Sequence, residues 1–148
     1  FEAKDMIDKP IDLTQGKETN NPKEYWNPIS GNKELSIKKE NFYILRSKER
    51  FNLPPDLAVY AQAISEVIGE IRIHYAGFIH PCFGYFRDEG TPLTFEVRGH
   101  NVDVFLRHGE IFAKMNFFRM SKSQISKNET YEKQELTLSK YFKNWEDS

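Results

Sequence analysis

The chain has 148 residues, 39% of them hydrophobic and 29% charged, and a formal net charge of −1 from 21 basic and 22 acidic side chains. That length suits one domain, and a near-neutral balance without a block of like charges excludes the electrostatic footprint of a nucleic-acid binder. No apolar run approaches the ~20 residues of a membrane span, no basic start with an apolar run marks a signal peptide, and the single cysteine, Cys82, has no internal disulfide partner. These counts lead us to expect a soluble, cytoplasmic domain, and with a start at Phe1 without methionine we expect a piece of a longer protein.

Residues 1–34 are polar and broken by Lys9-Pro10, Gln15-Gly16, Asn21-Pro22, Asn27-Pro28 and Ser30-Gly31, the punctuation of loops. They read as an N-terminal arm or linker, either anchored to a surface by Tyr25-Trp26 or packing only locally. The domain proper is expected over 35–148. Leu35 and Ile37, then Phe42 and Ile44, read as strand segments around a polar Lys38–Asn41 turn, and Leu53-Pro54-Pro55-Asp56 is a second stop. Leu57, Tyr60, Ala61, Ile64, Val67 and Ile68 fall at helical spacing before Gly69, so pattern alone predicts a helix over 56–69. Period-2 alternation returns at Ile71, Ile73 and Tyr75; at Leu93, Phe95 and Val97; at Val102, Val104 and Leu106; and at Ile111, Ala113, Met115 and Phe117. Leu136 and Leu138 close the series. Many short strands between turn signals predict an all-β barrel or sandwich.

Four histidines lie between positions 74 and 108, near Cys82, which raises the question of zinc. Zinc nucleobase deaminases place a His-x-Glu element upstream of Pro-Cys-x-x-Cys. Here Pro81-Cys82 occurs, but Tyr85 replaces the second cysteine and His108-Gly109-Glu110 lies downstream. The expectation is therefore no zinc, with histidines that are hydrogen-bonded or on the surface. Glu96 is the candidate general base. Alternation sets it on the face opposite Phe95 and Val97, where partial desolvation would raise its pKa; the plainer reading is an outward glutamate paired with an arginine. Neither a nucleophile elbow nor a Gly-rich phosphate loop occurs.

Four segments occur in a telling order: Leu53-Pro54-Pro55-Asp56-Leu57; Ala76-Gly77-Phe78-Ile79-His80-Pro81-Cys82-Phe83-Gly84; Leu93-Thr94-Phe95-Glu96-Val97; and Leu106-Arg107-His108-Gly109-Glu110-Ile111. The series, over about 35–142, resembles the dCTP deaminase branch of the dUTPase-like superfamily. It is most similar to the C-terminal unit of the long bacterial form, which carries two units in one chain. The resemblance implies a distorted β-barrel with a short helical turn, in which the segment like 56–63 is a strand. It implies a homotrimer, or pairing with an upstream unit, and zinc-independent deamination of dCTP to dUTP and ammonia. Glu96 would be catalytic, and Ser65, Ala76, Phe78, His80, Phe95, Arg107, Tyr131 and Gln134 would bind nucleotide, with magnesium accompanying the triphosphate.

The sequence also departs from the branch. Ser65-Glu66-Val67-Ile68-Gly69 lacks the arginine of the family's Ser-Ser-x-x-x-Arg phosphate grip, His80 replaces an aspartate that meets the sugar, and Cys82 replaces a glycine. These departures keep open a non-catalytic structural or regulatory half of a two-unit deaminase. A dUTP pyrophosphatase is the third reading, disfavoured by His80, by Phe83 in place of a tyrosine, and by the lack of glycine after Gly109.

Overall fold

In a computed structural model, residues 1–5, 8–30, 34–64, 71–74, 77–121, 136 and 138–148 are described, with only the backbone of Ala63 and Ile71–His74. Ten strands and one helical turn follow in order: β1 (Glu2–Ala3), α1 (Pro22–Tyr25), β2 (Trp26–Asn27), β3 (Glu34–Ile37), β4 (Phe42–Phe51), β5 (Leu57–Ala63), β6 (Ile71–His74), β7 (Phe78–Ile79), β8 (Thr91–Gly99), β9 (Val104–Arg107) and β10 (Ala113–Arg119). They form a five-stranded sheet, β2-β1-β4-β8-β6, a three-stranded sheet, β10-β5-β7, and the pair β3-β9. All named pairings are antiparallel.

The all-β expectation holds, and tertiary pairing overrides the helical spacing after Asp56. Val59 and Ala61 enter the core while Tyr60 faces outward. β10 pairs along the whole of β5 and β7 joins its other side. Residues 65–70, where the helical turn was expected, lie outside the described set.

Alternation on β8 builds the core: Leu93, Phe95 and Val97 point inward with Tyr43, Val59, Ile79 and Phe83. The ladder between β4 and β8 slips once. Arg46 pairs with Thr94 and Arg50 with Pro92, so Ser47, Lys48 and Glu49 oppose Leu93 alone. Pro92 has no N–H to offer the ladder, and the bulge falls beside it. Ser47 Oγ accepts the Leu93 N–H at 2.8 Å and donates to the Glu49 carbonyl at 2.6 Å, replacing a lost ladder bond.

The arm joins the domain. β1 and β2 extend the large sheet, and Asn21 caps α1 through its side-chain oxygen on the Lys23 N–H. Tyr25, Trp26, Ile44 and Phe142 form a second apolar cluster on the outer face of the sheet. Asn20 fastens the arm to the C-terminal segment: its backbone N–H and its Nδ2 both donate to the Tyr141 carbonyl, and its own carbonyl accepts the Lys143 N–H. Leu136 and Leu138, expected as strand residues, lie in no strand; both pack against this second cluster.

Candidate active site

Glu96 sits mid-strand on β8 with its side chain on the outer face, in the exposed position of a pattern that runs buried, exposed, buried, exposed from Phe95 to Arg98. Exposure means that burial within this chain does not desolvate the carboxylate. Ile44 of β4 and His74 of β6 stand opposite it in register. Arg98 is the next residue on the same face, and Arg46, opposite Thr94, is diagonal to Glu96. The Arg98 guanidinium lies 5.9 Å from the centre of the Phe42 ring, within cation–π range. Phe42 in turn packs against Trp26 at 6.0 Å. The carboxylate therefore lies on an open sheet face rich in arginine and bordered by aromatic rings. Glu96 makes no hydrogen bond or ion pair with the other described residues.

The remaining expected residues occupy other places. Phe95, next in sequence, faces inward and stacks edge-on with Phe112 at 5.4 Å. With Arg107 it lines a cleft of about 760 Å³ between the β4 bulge and the turn from β9 to β10. Arg107 is tied there structurally: its Nε donates to Glu34 across the β3-β9 pair at 3.0 Å, and its backbone N–H donates to the Glu110 carboxylate at 2.8 Å. Gly109, at φ 85, turns the chain in this motif.

Phe78 is exposed on β7 opposite Tyr60. The end of the Tyr60 ring packs over Gly77, 2.6 Å from where a Cβ would stand, so a larger residue there would displace that ring. His80 is half-buried, with Nδ1 2.7 Å from the Pro81 carbonyl oxygen and its ring edge-on to Phe83. The turn that follows holds both Cys82 and Gly84 at φ 67. The left-handed conformation at Cys82 explains why the dCTP deaminase pattern has glycine there. Ser65, Ala76, Tyr131 and Gln134 lie outside the described residues. Among the described residues, then, Glu96 stands on one face of β8, Phe95 and Arg107 on the other, and Phe78 and His80 beside a different sheet.

No group of three or more His, Cys, Asp or Glu able to hold a metal ion occurs among the described residues, and no helix there is long and apolar enough to cross a membrane. The sequence reading did not single out Arg98 and Arg46 as site residues. Arg98 was signalled by its position two residues beyond Glu96 on an alternating strand; Arg46 became visible only through the register of β4 against β8.

The fold has a solved counterpart. The crystal structure of 2′-deoxycytidine 5′-triphosphate deaminase from Agrobacterium tumefaciens is similar, with 34% sequence identity and a TM-score of 0.63 over 70% of this chain and 32% of that one. The class is thus a dUTPase-like all-β domain, and the chain spans about a third of the length of that relative. The chain belongs to the family described as 2′-deoxycytidine 5′-triphosphate deaminase, C-terminal domain, whose model matches residues 1–142. None of the curated proteins compared with the chain matches it.

Proposed function

We propose that this chain is the C-terminal unit of a cytoplasmic dCTP deaminase that converts dCTP and water to dUTP and ammonia without zinc, with Glu96 as general base. The observation that carries the reading is the open placement of Glu96 on β8, in a chain of this family, where a nucleotide and a neighbouring unit have access to it. The carboxylate takes a proton from water as the oxygen attacks C4 of cytosine. It passes that proton to N3 as the C4–N3 double bond opens. It then carries the proton of the new C4 hydroxyl to the amine, so that the bond from C4 to the amine breaks, ammonia leaves and the carbonyl of uracil forms. Closure of the site by a second copy in a homotrimer, or by an upstream unit, supplies the exclusion of water that an exposed carboxylate lacks here. Phe78, His80 and Arg107, spread over separate faces, would meet nucleotide only across such contacts, together with Ser65, Ala76, Tyr131 and Gln134, whereas Phe95 is buried in the core and offers little side-chain surface. Magnesium enters as the counter-ion of the triphosphate; it favours phosphate oxygens with one or two carboxylates, so a protein cage of ligands is not required.

The separation of Phe95 and Arg107 from Glu96 favours a second reading, in which this unit is a non-catalytic scaffold for its partner. Glu96→Gln in the full-length parent decides between the two. It keeps size and polarity but removes the proton acceptor, so ammonia release from dCTP should fall by about 10²–10⁴ with dCTP affinity nearly unchanged. Intact ammonia release in a correctly assembled parent would assign the chemistry to the partner unit. Pyrophosphate release from dUTP serves as the control for a pyrophosphatase.

A further inference from the structure

We propose that Arg98, seated on the Phe42 ring, grips the phosphate chain of the nucleotide on the Glu96 face. The inference rests on the deaminase reading and deepens it by naming a phosphate ligand that the stretch 65–69 lacks. Two residues along a strand span about 7 Å, and an arginine side chain reaches further. Arg98 is thus spaced from Glu96 much as the 5′-phosphates of a deoxynucleotide are spaced, across the sugar, from C4 of its base.

Two observations point to an anion. First, Arg98 is exposed and has no carboxylate partner among the described residues; its guanidinium rests on an apolar ring, which orders it without neutralising it. Second, Arg46 is diagonal to Glu96 on the same face, so arginine positions flank the carboxylate along β8 and across on β4. A guanidinium carries a planar fork of N–H donors suited to taking phosphate oxygens in pairs, and Arg98 is exposed.

The test is direct binding of dCTP and of deoxycytidine to the full-length parent, made in the Glu96→Gln background so that turnover does not intervene. Arg98→Gln should weaken dCTP binding by about tenfold or more and deoxycytidine binding by less than about twofold. Arg98→Lys, which keeps the charge but not the fork, should recover part of the loss. Equal losses for dCTP and deoxycytidine, or no loss for either, would overturn the assignment. Selective loss of dCTP binding in a parent whose ammonia release survives Glu96→Gln upholds the phosphate role while removing the catalytic one. Ammonia release that requires Glu96, with dCTP binding indifferent to Arg98, does the reverse.

Discussion

Replacing Ser47 by alanine isolates the energetic role of the bulge in β4. The substitution removes the acceptor of the buried Leu93 N–H at 2.8 Å, and Pro92 beside it has no ladder donor to compensate. A buried donor left unsatisfied costs ~1–3 kcal/mol. Ser47 also lines the cleft of about 760 Å³, which admits water to that side of the bulge, so the lower part of the range applies, ~1–2 kcal/mol. The second bond, to the exposed Glu49, is readily exchanged for water. For a chain of this length each kcal/mol moves Tm by ~2–4 °C, giving an expected drop of ~2–8 °C. Thermal unfolding followed by circular dichroism reads the shift. Hydrogen exchange at the Leu93 amide gives its location, and Ser47→Thr, which retains the hydroxyl, should restore most of both. A Tm within about 1 °C of the parent's, with the Leu93 amide still protected, would refute the argument that this hydroxyl substitutes for the ladder.

Gly84→Ala should destabilise by ~3 kcal/mol or more in denaturant titration, because a Cβ would stand 2.1 Å from the Phe51 carbonyl at a residue with φ 67. Phe142→Ala removes the ring that meets Tyr25 at 5.6 Å and Trp26 at 6.3 Å; a loss of about 3 kcal/mol and a changed tryptophan emission are expected. Burial pushes the Tyr43 hydroxyl above its ordinary value of 10.0, since its ionised form would be desolvated. Its contribution to stability is therefore full below pH 10.0 and is lost as pH rises from there through the raised folded value. Tyr43→Phe should flatten that alkaline decline and remove a component of the tyrosinate absorbance that titrates above pH 10.0.

The residues that made the sheet legible are those whose partners lie on a single face. Leu93, Phe95 and Val97 announce β8 because one side meets the core and the other meets solvent, and the outward position of Glu96 follows from the same alternation. β4 is harder to read. Tyr43 enters the main core while Ile44 is buried in the second cluster, so both faces are apolar and no alternation survives. The cover for Ile44 comes from Trp26 and Phe142, nearly the length of the chain apart, and local pattern carries no trace of such contacts. Ile111 and Val102 erred the other way: both extend an alternating run, yet both are exposed and precede the strands that begin at Ala113 and Val104. Helical spacing at 57–64 was outweighed by ladders that exist only once β10 is present. Glu96 stood out as a candidate through the order of motifs, whereas Arg46 did not, because its place beside Glu96 depends on the register of β4 against β8.

The fastening of Asn20 to Tyr141 bears on the order in which the chain acquires its structure. The side-chain bond joins residues 121 apart, and at ≈ 5–20 residues per second of synthesis the arm waits roughly 6–24 s for its partner to be made. Until then Tyr25, Trp26 and Ile44 are without the Phe142 ring that completes their cluster. A nascent chain stalled shortly before Phe142 would therefore display an aromatic surface that the finished protein conceals. That makes synthesis of the segment around Phe142, rather than of the central barrel strands, the step at which chaperone binding should cease.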